Sequence, residues 1–243
     1  MNHRPAADAT PATSDTGTVR RALAQGRAVV LPNPAPLTCV VTATRPAAVN
    51  LAKRRPADQA VALWAHHPHT REALAEHLDL SPAAHRLARR LLTEERVTLL
   101  APLRHPHDIP SWLTPAAQDG WTLLFAARWQ PLAPLLDDFP LLYVSSANRT
   151  GHPPAPTPDD AAPHFAPHTP VLTAPAPLAA TATPVRRATT TIRLHPDART
   201  ELHRHGAQDH PHPSAEHYLN HLHHTYRTPP TTEDLPGGPI PPG

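Results

Sequence analysis

The run Leu141-Leu142-Tyr143-Val144 passes directly into Ser145-Ser146-Ala147-Asn148-Arg149-Thr150-Gly151. Four strand-like apolar residues are broken by small hydroxyl and amide side chains. Ser and Asn supply donors and acceptors with little bulk. Gly151 admits positive φ, so the backbone can fold around an anion or a small polar ligand. The same composition also suits an ordinary Asx or Ser turn after a strand. Its meaning therefore depends on what surrounds it.

Working outward, short apolar runs of strand character occur at 28–31, 61–64, 97–100 and 122–126, with weaker candidates at 171–173 and 190–194. Between them lie helical patterns at 18–25, at 46–53 with Pro46 at the start and Thr44 as cap, at 70–78, at 81–92 behind the Ser81-Pro82 pair, and at 132–136. Strands and helices interleave, which predicts a mixed α/β domain. Residues 1–17 have too little apolar content to pack and read as a flexible leader. The folded domain is expected over 18–208. A Pro- and His-rich disordered tail is expected over 209–243, where the last 35 residues hold 8 prolines and 3 glycines. Residues 214–226 read as one isolated helix in that tail. It aligns His217, His221 and His224, but no carboxylate or cysteine completes a metal set and His is enriched throughout, so no metal site is assigned.

Composition restrains what the motifs can carry. The chain has 35 prolines, 20 histidines and a single lysine among 22 basic residues. That pattern fits GC-rich coding bias, which lowers the weight of any Arg, Pro or His cluster. A formal net charge of +2 leaves RNA allowed as a partner but not indicated. One cysteine, Cys39, excludes an intrachain disulfide and a cysteine zinc site. No 18-residue apolar stretch is present and residues 1–18 lack a hydrophobic core, so neither a membrane span nor a secretory signal is expected and the location reads as cytoplasmic.

The single lysine sits in Lys53-Arg54-Arg55-Pro56, at the end of the helix begun by Pro46. If the chain extends after that helix, Lys53 and Arg55 share one side and form an oxyanion pocket, Lys as a point charge and Arg as a planar fork. The same cations also complement a helix C-terminus without any ligand. Together with Ser145 to Gly151, this element resembles the YrdC-like family, the threonylcarbamoyl-adenylate synthases of tRNA modification. Val97-Thr98 resembles the family's Val-Thr strand. Thr189-Thr190 before Ile192 resembles its Ser/Thr-Thr strand, and Leu202, Arg204, Gly206 and Ala207 resemble its closing Leu-x-Arg-x-Gly-Ala.

The resemblance implies a single twisted mixed sheet with helices and a concave basic cavity. It also implies nucleotidyl transfer: L-threonine or another amino donor, bicarbonate and ATP give a carbamoyl-adenylate and pyrophosphate, with Mg²⁺ assisting. Lys53 and Arg55 would neutralise charge as catalytic residues. Thr98, Ser145, Ser146, Asn148, Thr190 and Arg204 would hold the nucleotide. Two segments depart from the family. Its Pro-Thr-x-x-x-Tyr/Phe-Gly element is here Pro32-Asn33-Pro34-Ala35-Pro36-Leu37-Thr38, leaving Asn33 as the polar substrate-binding candidate. The arginine expected in the 122–126 strand is replaced by Ala126. Arg128 lies two residues on, about 6 to 7 Å along the same strand face, and is the substitute candidate. The alternative implied by these departures is a catalytically impaired relative that binds double-stranded RNA, tRNA or a nucleotide.

Overall fold

A computed structural model describes residues 13–173 and 185–227. The predicted leader and tail therefore fall partly outside the described residues. The elements are α1 (Thr16–Ala24), β1 (Val29–Leu31), β2 (Val40–Ala43), α2 (Pro46–Ala52), β3 (Ala62–Trp64), α3 (Pro68–Ala75), α4 (Pro82–Arg90), β4 (Thr98–Pro102), β5 (Ala117–Gln118), β6 (Trp121–Phe125), α5 (Ala133–Leu136), β7 (Tyr143–Ser146), α6 (Pro158–Phe165), β8 (Thr191–Leu194), β9 (Thr200–Arg204) and α7 (Ala215–Arg227). The strands form one open mixed sheet in the order β1-β2-β7-β3-β6-β4-β8-β9, with β5 paired to β6. β3–β6 and β4–β8 are parallel and the other neighbours antiparallel.

Alternation along each strand sends side chains to two cores. Val30, Val41, Leu63, Leu99, Leu124 and Ile192 face one, which also takes apolar residues from α2, α3, α4, α6 and α7. Val29, Leu31, Val40, Ala62, Trp64, Phe125 and Val144 face the other, covered by α1 and α5. The second face carries fewer helices, and that leaves part of the sheet uncovered beside β2, β3, β6 and β7. A cleft opens there.

Local signals explain most boundaries. Ser81 accepts a hydrogen bond from the Ala84 amide at 3.2 Å with Pro82 first in α4, as its Ser-Pro pair predicts. Thr157 and Asp160 cap α6 reciprocally, a capping box that the sequence reading passed over. Thr44 does not cap α2. Arg45 occupies the cap position, and the Thr44 hydroxyl instead donates to the Leu23 carbonyl at 3.2 Å. Strands β2, β5 and β9 were not expected: β2 and β5 are only four and two residues long, and β9 is mostly polar. The 171–173 candidate makes only bridges, Val171 to Val30 and Leu172 to Ser14.

The ends of the folded body differ most from expectation. Ser14 donates its amide to the Val171 carbonyl and α1 begins at Thr16, capped by Asp15, so packing starts before residue 18. At the other end α7 is not isolated. Tyr218 and Leu222 are fully buried, and the Tyr218 and Tyr226 hydroxyls donate to the two oxygens of Glu95 at 2.8 and 2.7 Å. The Arg90 guanidinium lies 5.1 Å from the Tyr226 ring centre. The sequence reading saw the helix but not its apolar face, since histidines dilute Tyr218, Leu222 and Tyr226. Among the described residues no helix is long and apolar enough to cross a membrane.

If α7 belongs to the domain, Leu222→Ala removes a fully buried side chain and destabilises by about 2–4 kcal/mol. Chemical denaturation followed by circular dichroism measures this; a change below about 0.5 kcal/mol contradicts it, being the range of surface substitutions.

Candidate functional site

The cleft has a volume of about 340 Å³. Its apolar floor is Val40, Ala62, Leu123, Phe125 and Val144, the inward residues of four adjacent strands. Its polar lining brings together Lys53, Arg55, Thr98, Ser145, Ser146, Asn148 and Arg204, with Asn33 and Thr38.

Lys53 follows the last residue of α2 and is 4 % exposed. Arg54 turns left-handed at φ 55°, so the chain after the helix is a tight turn rather than an extended strand. The Arg55 amide returns to the Asn50 carbonyl at 3.1 Å, and Lys53 and Arg55 both line the cleft. Asn50 is the hub of this turn. Fully buried, it accepts from Arg55 Nε at 2.5 Å and donates to the carbonyls of Ala57 and Gln59 at 2.9 and 2.7 Å. The sequence reading missed it; an amide on the same buried face as Val49 is the signal available for finding it. One terminal nitrogen of Arg55, Nη2, is buried without a partner. Such an orphaned donor on a cleft wall suits an anionic oxygen.

Lys53 Nζ donates to the Ser146 carbonyl, to Ser146 Oγ at 3.4 Å and to Asn148 Oδ1 at 2.8 Å. Ser146 Oγ donates to Asn148 Oδ1 at 2.7 Å, and Asn148 Nδ2 donates to the His152 carbonyl at 2.7 Å. With Gly151 at φ 84°, these bonds hold the 145–152 loop against the lysine. The loop and Lys53 thus share one wall instead of facing each other. Among the described residues no Asp or Glu lines the cleft. Burial, with the Arg55 charge adding to it, lowers the Lys53 pKa to about 7. The same lack of carboxylates means that a magnesium ion finds no hard anionic ligand in the lining. Among the described residues no group of three metal-ligating side chains exists anywhere.

The other expected residues divide. Thr98 Oγ1 and Thr189 Oγ1 are 2.5 Å apart, and both line the cleft. Arg204 lines it too, donating Nη2 to the Thr189 carbonyl at 3.3 Å. Thr190 does not line it. Alternation along the chain turns Thr190 away from Thr189, and its hydroxyl bonds Asp209 at 2.6 Å in the interior. Asn33 is buried at the cleft end, its amide nitrogen donating to the Thr38 carbonyl at 2.8 Å. Arg128 is corrected: it forms a two-pronged pair with Asp137 at 2.8 and 2.9 Å and stands outside the cleft. β6 ends at Phe125, so strand alternation no longer governs the direction of residue 128.

The departing loop is strongly tied down. Arg186 Nη1 donates to the carbonyls of Asn33 and Leu37 at 3.0 and 2.8 Å. The Thr38 amide donates to the Arg187 carbonyl and the Arg187 amide to the Pro36 carbonyl. Arg186 was also missed by the sequence reading, because nothing local marks a contact across about 150 residues.

With an unpaired ammonium, Lys53 is linked to pH. The native pKa of about 7 lies below the ordinary lysine value of 10.5, so between those values the unfolded chain binds more protons and stability rises with pH. A Lys53→Met variant should lose that rise, as measured by denaturant unfolding at pH 7, 8 and 9. Inorganic pyrophosphate should bind the wild type more weakly as pH rises above 7, because the anion binds the charged form.

A family profile described as telomere recombination, Sua5/YciO/YrdC, matches residues 21–206. Among solved structures, P. abyssi Sua5 complexed with L-threonine is similar with a TM-score of 0.58 at 18% identity, covering 80% of this chain and 56% of that one. E. coli YciO gives 0.57 at 12% identity over 79% of this chain and 88% of that one. Full-length HypF in its phosphate- and nucleotide-bound form gives 0.53 at 14% identity over 81% of this chain and 25% of that one. At such identities the likeness is one of fold. The chain thus spans little more than half of the Sua5 length. No curated protein matches it by sequence.

Proposed function

Since the chain belongs to the Sua5/YciO/YrdC family, we propose that its cleft carries out the adenylate-forming chemistry of a threonylcarbamoyl-adenylate synthase, with threonine or another amino donor. The observation that carries this reading is a wall of three cations, Lys53, Arg55 and Arg204, with no carboxylate beside them among the described residues and a buried Arg55 donor that none of those residues engages. A site built this way is short of negative charge. Two related folds, Sua5 complexed with L-threonine and HypF bound to phosphate and nucleotide, agree in ligand type.

In the proposed reaction the donor amine takes up the carbon of bicarbonate to form a carbamate, with loss of water. A carbamate oxygen attacks the α-phosphorus of ATP, and the bond to the β-phosphate bridging oxygen breaks to release pyrophosphate. No protein nucleophile is required. The chain's contribution is orientation and charge neutralisation. Lys53 and Arg55 hold the carbamate and α-phosphate oxygens together, Ser146 and Asn148 set the position of the ammonium, and Arg204 with Thr98 and Thr189 holds the far side of the nucleotide. Leu123, Phe125 and Val144 give an apolar bed suited to a base. Magnesium, lacking a carboxylate here, would enter with the nucleotide phosphates and assists no step derived from these residues.

The test is ATP conversion to an AMP-containing product and pyrophosphate, with bicarbonate and a panel of amino acids. Turnover with at least one donor is expected, and Lys53→Ala or Arg55→Ala should reduce it by at least about 100-fold. A folded protein that turns over none of the donors rules the enzyme out. One feature favours the second reading, a binding module. The Asn33 amide nitrogen is already engaged by Thr38, within a loop clamped by Arg186. That reading expects salt-dependent binding of structured RNA that largely survives Lys53→Ala.

A further inference from the structure

Beyond β9 the chain turns back through His205, Gly206 and Ala207 to Gln208 and Asp209, at the expected end of the folded domain. The turn packs closely on residues 188–190, the segment that leads into β8. A side chain at Gly206 would meet the Thr190 nitrogen at 2.2 Å and the Thr189 carbonyl carbon at 2.4 Å, and the Ala207 amide donates to the Ala188 carbonyl at 2.9 Å. Only glycine permits that approach.

Asp209 fastens this contact. It is 7 % exposed. Its Oδ1 accepts from Thr190 Oγ1 at 2.6 Å and from the Gly206 amide at 2.7 Å, while Oδ2 lies 2.6 Å from His205 Nδ1. The Thr190 hydroxyl in turn accepts from the amides of Gln208 and Asp209 at 3.0 and 3.1 Å, and Gln208 Oε1 accepts from the Thr190 amide at 2.8 Å. Burial opposes ionisation of Asp209, but the bonds from Thr190, His205 and Gly206 outweigh it and hold the carboxyl below its usual range. The group is therefore an anion at neutral pH and accepts through both oxygens.

None of these atoms lines the cleft, yet the neighbours on either side do: Ala188 and Thr189 before Thr190, and Arg204 before the turn. The β8–β9 ladder does not place Arg204 by itself, because its register shifts between Thr191 and Ile192, where Arg204 pairs with Thr191 but Leu202 with Ile192. The end of β9 is irregular, and a bulge re-aims the side chains beside it, so what holds the backbone there sets the direction of Arg204.

We propose that Asp209 is a positioning residue: by clasping Thr190 to Gly206 it holds Arg204 and Thr189 at the edge of the cleft where they meet the nucleotide. This rests on the nucleotide reading of the cleft. An asparagine at 209 keeps the shape but presents an NH₂ donor toward either the Gly206 amide or His205, so one acceptor is lost.

The experiment compares wild type, Asp209→Asn, Thr190→Val, Arg204→Ala and the double variant of Asp209→Asn with Arg204→Ala. Equilibrium binding of ATP, thermal unfolding, and the Arg204 Nε–H resonance in ¹⁵N spectra of ligand-free protein, assigned with Arg204→Lys, are measured. Asp209→Asn is expected to weaken ATP binding about tenfold, to broaden or move the Arg204 resonance, and to add nothing once Arg204 is alanine. Combined with Lys53→Ala its effect should add in full. Thr190→Val should act like Asp209→Asn, which covers a failure of the latter to fold. Wild-type ATP affinity in Asp209→Asn, or an equal loss with and without Arg204, overturns the inference. If wild type binds no ATP, the reading of the cleft fails, and an unchanged Arg204 resonance in Asp209→Asn then overturns the positioning role separately.

Discussion

A buried ammonium with no carboxylate among the described cleft residues to answer it is the constraint around which the site is organised. Removing Lys53 from water is costly, and the Ser146 carbonyl and Asn148 amide oxygen return only part of that cost because both are neutral. The lysine nonetheless ties the end of α2 to the loop after β7, two segments far apart in the chain. Arg55 adds a second positive charge and lowers the lysine's proton affinity further. Cations kept this close without counter-charge are the arrangement on which the proposed anion site rests. Each of the three cations is held by carbonyl or amide oxygens, which orient it without neutralising it.

The sheet determines where that charge meets an apolar surface. Five helices cover one face and two the other, so the inward side chains of β2, β3, β6 and β7 are left as a floor beside the cationic wall. Thr98, Thr189 and Arg204 line the cleft with the Thr190–Asp209 clasp behind them, and Asn33, Leu37 and Thr38 line it too. The proline-rich loop that carries the latter is held by Arg186 on two carbonyls and by backbone bonds between Arg187 and residues 36 and 38.

How far the sequence was legible follows from how local each signal is. Period-two alternation and helix caps are local, so most strands and helices were found, as was the Ser-Pro start of α4. β2, β5 and β9 were missed because they are only four, two and five residues long, and α6 because Pro163 interrupts its eight. The packing of α7 was missed because its apolar face is carried by a few residues among histidines. Short motifs marked Lys53, Arg55, Ser146 and Asn148, and the fold brings these into one cleft. Arg128 and Thr190 were placed by extending strand geometry or motif proximity one step too far. The chain leaves the strand after Phe125, and Thr190 points opposite to Thr189.

The chain by itself determined the mixed α/β class, the order of its main elements, and the two polar segments that close on the cleft, since each follows from hydrophobic period and side-chain chemistry within a few residues. Tertiary structure alone decided the rest: that Lys53 leans on the 145–152 loop instead of facing it, that Arg128 pairs with Asp137 outside the cleft, that Asn50, Arg186 and Asp209 hold the walls, and that α7 completes the core. Those outcomes depend on contacts between residues distant in sequence, where burial and hydrogen-bond satisfaction are settled only once the sheet has assembled.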